Sequence, residues 1–228
     1  MEDHMEHRIP STNLVIIDYG MGNLRNVQKA FERIGVAASI SAQPADLEAA
    51  DGLILPGVGA FGDAMDNLRT AGLIEPICRL VREGKPLLGI CLGLQLLFEE
   101  SEELGHYQGL GLLPGRVIRF NERLKVPHIG WNQLEICACQ SDATQMAQQT
   151  LLGGIPDGSY AYFVHSYYVL PADLSCVLAT TRYGVEFASV VGAGHVFGVQ
   201  PHPEKSQEVG RQLLKNFANL VQASLAGR

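Results

Sequence analysis

Pro86-Leu-Leu-Gly-Ile-Cys-Leu-Gly93 is the stretch on which the fold turns. Its first half is a short apolar run of the kind buried in a parallel sheet, and a helical pattern starts near Leu92. Between the two, Gly89-Ile90-Cys91-Leu92-Gly93 has the G-x-C-x-G form of a nucleophile elbow, placed at the strand-to-helix junction an elbow requires. Glycines two residues to either side let the backbone turn tightly without Cβ clashes. Cys91 is then expected to stand exposed in strained geometry at a helix N-terminus, where the dipole favours thiolate over thiol. The competing reading is a core cysteine, the usual fate of a free thiol.

Upstream, the same alternation repeats. Leu14-Val-Ile-Ile-Asp18 predicts a buried strand ending in Gly20-Met-Gly22, and Leu24, Val27, Phe31 and Ile34 follow at helical spacing until Gly35. Val36–Ile40 and Leu53–Leu55 are two more strands, the latter followed by Pro56-Gly-Val-Gly59 and helical patterns from Ala60 to Glu83. Strands alternating with helices predict an α/β fold, a mostly parallel sheet flanked by helices. After Gly105 the texture changes. Short β-like runs dominate from Arg116 to Gln200, adding β strands in the C-terminal half, and a last helix near Glu208–Leu225 puts Leu213, Phe217, Leu220 and Val221 on one side.

A nucleophilic cysteine needs a proton carrier, and Gln200-Pro-His-Pro-Glu204 supplies one in His202. Pro203 biases His202 toward an extended backbone, in which residues two apart share a side. Glu204 is therefore placed to orient the imidazole and stabilise imidazolium, as a triad acid does. A proline-rich surface turn is the bland alternative. Pro56-Gly57-Val58-Gly59 also follows a strand, and its backbone N–H groups, with that of Leu92, can form an oxyanion site.

Composition removes other function classes. Seventeen Lys+Arg against 24 Asp+Glu give a net charge of −7, without the basic footprint that nucleic acid binding needs. No apolar run approaches the roughly 18 residues of a membrane span. Residues 1–13, with three acids, two histidines and no apolar core, do not read as a secretory signal; they are expected to be a disordered extension ahead of one domain, 14–228. The five cysteines, Cys78, Cys91, Cys137, Cys139 and Cys176, are odd in number and irregular in spacing, which argues against a disulfide framework and for a reducing cytoplasm. Cys137-Ala-Cys139 lacks a second Cys/His pair to complete a zinc site. Neither metal nor cofactor is expected.

The order Cys91 … His202-x-Glu204 resembles the class I (triad) glutamine amidotransferases, whose fold is flavodoxin-like. Ile17-Asp-Tyr-Gly-Met-Gly-Asn-Leu24, Pro56-Gly-Val-Gly-Ala-Phe-Gly62, Pro127-His-Ile-Gly-Trp-Asn132, Phe163-Val-His-Ser-Tyr-Tyr168 and Cys91-Leu-Gly-Leu-Gln-Leu-Leu-Phe-Glu-Glu-Ser-Glu-Glu103 narrow the likeness. Together they are similar to the glutaminase subunits of imidazole glycerol phosphate synthase. The resemblance implies hydrolysis of L-glutamine to glutamate and ammonia through a thioester on Cys91, with His202 and Glu204 completing the triad and Val58, Gly59 and Leu92 serving the oxyanion. It implies that Gly57, Gln95, Glu103, Ser166 and Tyr167 bind substrate. Ammonia would pass to a separate cyclase subunit with a TIM-barrel fold, which forms imidazole glycerol phosphate and AICAR in histidine biosynthesis; Asn23, Asn26, Trp131, Tyr162 and Lys205 match the docking face. The family usually carries an aromatic residue where this chain has Pro201, so an apolar side chain that would pin the His202 segment is missing. A free-standing γ-glutamyl hydrolase and a non-enzymatic thiol sensor on the same fold are the alternatives.

Overall fold

The computed structural model describes residues 12–138 and 142–226. In chain order the strands and helices are β1 (Leu14–Ile17), α1 (Leu24–Arg33), β2 (Ala38–Ser41), α2 (Pro44–Ala49), β3 (Gly52–Gly57), α3 (Phe61–Thr70), α4 (Ile74–Arg82), β4 (Leu87–Cys91) and α5 (Leu92–Leu96). There follow β5 (Glu100–Ser101), β6 (Tyr107–Gln108), β7 (Gly115–Arg119), β8 (His128–Ile136), α6 (Asp142–Leu151), β9 (Ser159–His165), β10 (Tyr167–Pro171), β11 (Val177–Tyr183), β12 (Val185–Ala193), β13 (Val196–Val199) and α7 (Gln207–Ala226).

Nine strands form one sheet in the order β2-β1-β3-β4-β13-β12-β11-β8-β9. The first five run parallel, in the flavodoxin-like order, and β12, β11, β8 and β9 extend the sheet by antiparallel pairing. Strands β10, β7, β5 and β6 make a small second sheet. Alternation along β1 shows how the layers arise. Val15 and Ile17 pack with Leu47, Phe61, Leu68 and Ile77 of α2, α3 and α4, whereas Leu14 and Ile16 face Val27 and Phe31 of α1 and Leu213, Phe217 and Val221 of α7. Successive strand residues point to opposite faces, so the four-residue apolar run that reads as doubly buried in the sequence is covered by helices on both sides.

Three features depart from the sequence reading. The helical stretch 60–83 is two helices, broken at Gly72, which has φ +69°. Helix α6 interrupts the region that reads as β-rich; its buried residues are few, Thr144 and Leu151, so it carries little of the apolar periodicity by which a helix is recognised. At the start, residues 1–11 of the expected extension lie outside the described residues, but Thr12 is buried and the Asn13 N–H donates to Asp51 Oδ2 at 2.8 Å. Those two residues pack with the domain. Among the described residues no helix is long and apolar enough to cross a membrane.

Candidate active site

Strand β4 ends on Cys91, whose φ of 56° and ψ of −108° put a non-glycine residue on the rarely populated side of the Ramachandran map. Pairing of Gly57 with Cys91 across β3 and β4 holds the turn in place. Its tightness is measurable at Gly89, where an added Cβ would lie 2.7 Å from the Gly93 backbone. The elbow is therefore real, but Cys91 is not exposed as the sequence reading expects. It is only 6% accessible, at the floor of a cleft of about 280 Å³.

Strand β13, paired with β4, delivers the second half of the site. The chain leaves it through Gln200 and Pro201, and the His202 N–H is tied to the Tyr162 carbonyl at 2.8 Å. His202 Nδ1 donates to Glu204 Oε1 at 2.8 Å, with both side chains buried. The route to this contact differs from the sequence argument. His202 is extended, but Pro203–Lys205 forms a 3₁₀ turn, and it is this turn that folds Glu204 back onto the imidazole. Burial works to lower the His202 pKa, yet hydrogen bonds to Cys91 and Glu204 and the negative charge of both outweigh it and hold the group up at about 10. Imidazolium is thus the form the site favours.

The cleft gathers Cys91, His202, Val58, Gly59, Leu92, Gln95, Glu103, Ser166, Tyr167 and Lys205. Of the residues expected at the site, Gly57 and Glu204 stand behind this lining. Gly57 is buried against Tyr19, whose hydroxyl donates to the Pro56 carbonyl at 2.8 Å, and Glu204 lies behind His202. Glu103 Oε2 accepts the Phe61 N–H at 2.8 Å; burial raises its carboxyl pKa, the Phe61 hydrogen bond opposes this, and Asp63 adds to it.

Three features carry no signal in the sequence reading. Gln200 is fully buried, with Nε2 3.7 Å from Cys91 Sγ. The Val164 carbonyl lies 3.8 Å from the same sulfur. In the cleft wall His165 pairs with His128 behind it, Nε2 to Nδ1, at 3.0 Å. Their tautomers follow from their partners. His165 Nδ1 faces the Tyr167 carbonyl at 2.8 Å and must donate; its Nε2 therefore accepts from His128 Nδ1, leaving His128 Nε2 to accept from Asn132 Nδ2 at 3.2 Å. Both rings are neutral in this chain. Burial lowers the His165 pKa to about 3, against the Tyr167 hydrogen bond and with help from His128 and His202, and burial lowers that of His128 to about 4.

Of the expected docking residues Lys205 lines the cleft, while Asn23, Asn26, Trp131 and Tyr162 fall outside it. Trp131 is 46% exposed, which disposes of a core role. Its ring meets Tyr162 edge-on at 5.8 Å, and Lys205 Nζ sits 5.6 Å above the Tyr162 ring. Asn23 and Asn26 are exposed at the start of α1. Pro201 is buried, and the N–H it lacks falls between two that are used, Gln200 to the Ser189 carbonyl and His202 to the Tyr162 carbonyl. Cys78 and Cys176 are free thiols, and burial pushes Cys176 up to about 11, with Asp173 adding to it. Cys139 lies outside the described residues.

Comparison with known proteins agrees with this geometry. The family model for glutamine amidotransferase class-I matches residues 15–220. The chain is 53% identical over 214 residues to the imidazole glycerol phosphate synthase subunit HisH of Syntrophotalea carbinolica, covering 91% of this chain and all of the relative. It is 49% identical to the HisH subunit of Geobacter sulfurreducens, over 92% of this chain and 99% of that one. Among solved structures, a glutamine amidotransferase superposes with a TM-score of 0.70 at 23% identity, covering 91% of this chain and 98% of that one. PurLQS from Thermotoga maritima does so with 0.69 at 20%, covering 92% and 99%. A strand-elbow-helix carrying a buried cysteine, a histidine–glutamate pair in the turn that follows the neighbouring strand and sequence likeness over nine-tenths of the chain converge: the chain belongs to the class I glutamine amidotransferases, in the family of HisH subunits of imidazole glycerol phosphate synthase.

Proposed function

We propose that residues 14–228 work as one amidotransferase domain in which Cys91, His202 and Glu204 carry the chemistry. The chain is a glutamine amidotransferase, the glutaminase subunit of imidazole glycerol phosphate synthase; the residue roles are our reading of the site. Cys91 Sγ attacks the side-chain amide carbon of glutamine, forming a C–S bond. His202, held as imidazolium against Glu204, gives its proton to the departing nitrogen, and ammonia leaves as the C–N bond breaks. The neutral imidazole then takes a proton from water, which attacks the thioester and releases glutamate and the cysteine. The N–H groups of Val58, Gly59 and Leu92 serve the tetrahedral oxyanion. At the far end of the cleft the Glu103 carboxylate suits the α-ammonium of glutamine, with Gln95, Ser166 and Tyr167 around it and Gly57 backing the wall.

The partner is a second subunit, and we take it to be a cyclase of TIM-barrel fold. A barrel needs about 250 residues, which this domain cannot spare. Trp131, Tyr162, Lys205, Asn23 and Asn26 form its docking surface, a large aromatic anchor with a cation and polar edge. The compartment is the cytoplasm. The observation that carries the reading is the 2.8 Å His202–Glu204 pair set beside a cysteine in elbow geometry.

Cys91→Ala tests it. In the assembled complex, glutamine-dependent synthesis is expected to vanish while synthesis from free ammonia persists, because ammonia bypasses this subunit's chemistry. Loss of both would give Cys91 a structural role. Adding the cyclase should raise glutamine turnover; a free-standing hydrolase would not respond.

A further inference from the structure

Gln200 has no part in the triad, yet its side chain is fully buried and reaches the reacting sulfur. A buried amide is costly unless its donors and acceptor are used, so the direction in which it points has a cause. The contacts determine it. Gln95 approaches the Tyr167 carbonyl at 2.9 Å, and a carbonyl only accepts, so the atom there is Gln95 Nε2. The second hydrogen of the same nitrogen points at Gln200 over 3.2 Å. An amide nitrogen turned toward it would oppose two donors, so Gln200 presents Oε1 to Gln95 and is left with Nε2 toward Cys91 Sγ, at 3.7 Å. The backbone of Gln200 is fixed independently by its N–H to the Ser189 carbonyl at 2.8 Å.

We propose that Gln200 is a further catalytic residue, the end of a relay from Tyr167 O through Gln95 to Gln200 Nε2, which donates to the ionised sulfur of Cys91. The relay divides the sulfur's surroundings by protonation state. A thiol donates S–H to the Val164 carbonyl, 3.8 Å away; a thiolate has no proton to give and takes donors from Gln200 Nε2 and His202 instead. The donor also keeps the sulfur in register with the cleft as charge leaves it on attack and returns to it when the thioester collapses. With both hydrogens of Gln95 Nε2 committed inside the protein, only Gln95 Oε1 remains for the substrate, so Gln95 can receive a hydrogen bond from the amino-acid end of glutamine and cannot donate one. This inference rests on Cys91 being the nucleophile.

The test uses Gln200→Met, which keeps the volume and removes the donor, and Gln200→Glu, which keeps the acceptor for Gln95 and replaces the donor by a carboxyl. In the complex, Gln200→Met is expected to lower kcat for glutamine hydrolysis about tenfold or more, leave KM within about twofold, and slow alkylation of Cys91 by iodoacetamide near neutral pH. For Gln200→Glu, the alkylation rate relative to the parent should fall as pH rises and the introduced carboxyl ionises against the sulfur. Ammonia-dependent synthesis reports that each variant is folded and assembled. Unaltered alkylation, a defect confined to KM, or a loss of ammonia-dependent synthesis in step with the glutamine reaction would each overturn the relay. Cys91→Ala measured alongside separates the two readings. Residual hydrolysis there removes the nucleophile itself, whereas a null result with unaltered Gln200 variants removes only the relay.

Discussion

Gly93 of α5 presses its backbone against Leu55 of β3: a Cβ built on Gly93 would lie 1.7 Å from the Leu55 carbonyl oxygen. No rotamer relieves that contact, because both partners are backbone. Cys91 is held in its unusual conformation partly because the helix that follows can lie so close to the sheet. Gly93→Ala is therefore expected to destabilise the fold by about 3 kcal/mol or more and to disturb the elbow with it. Denaturant unfolding measures the first and single-turnover formation of the thioester the second. A variant as stable as the parent would show that α5 can move away freely.

In the proposed mechanism Glu204 acts on the reaction through His202. Its hydrogen bond and charge are among the causes that hold His202 at about 10, so Glu204→Gln should pull the alkaline limb of the kcat profile to lower pH. His202 is useful as an acid only below its pKa. The rate should fall by roughly ten- to a thousandfold without reaching the null of Cys91→Ala. Equal defects in folded protein would count against that ranking.

The His128–His165 pair makes the fold sensitive to acid. In the unfolded chain both rings take up protons near 6.5, whereas in the folded protein His128 waits until about 4 and His165 until about 3. Between these limits the unfolded state binds more protons, so stability falls as pH falls. Each ring contributes a slope of about 1.4 kcal/mol per pH unit, both acting down to about pH 4 and His165 alone below it. Urea unfolding across this range should show the slope, and His165→Asn should remove a large part of it. A slope indifferent to that change would place the acid sensitivity elsewhere.

Pro201 stands where an aromatic residue is usual, and restoring the aromatic looks like a gain from sequence alone. Its burial points the other way. Pro201 is buried in a segment whose neighbouring N–H groups are both satisfied, so Pro201→Phe is expected to overpack the site, an insertion that costs about 1–3 kcal/mol. Lower thermal stability and slower partner-stimulated turnover are expected. A more stable and faster variant would mean that room for the ring exists.

Much of this is legible in the sequence. The apolar runs from Leu14 and Leu87 and the periodicity of α1 and α7 are local consequences of burial, so the sheet and its elbow can be read from residue order. His202 and Glu204 could be paired on paper, although the turn that joins them is a 3₁₀ turn, because short irregular turns leave no periodicity to read. Gln200 and the His128–His165 pair are not legible. Their meaning lies in contacts across 37 to 109 positions of chain, and a lone glutamine or histidine on a strand carries no mark of what the fold will set against it. Helix α6 is hidden for the converse reason: its sequence does not advertise a buried face.

Tyr162 belongs to two surfaces at once. Its ring stands between Trp131 and Lys205, on the face we propose for the partner, while its carbonyl holds the His202 N–H at 2.8 Å and its own N–H is held by Ser206 Oγ at 2.9 Å. Ser206 in turn donates to the His202 carbonyl at 2.7 Å. In the proposed assembly, docking and proton transfer are therefore fastened to a single residue: a neighbour that shifts this ring by a fraction of an ångström would change the mooring of His202 directly, with no long path between them.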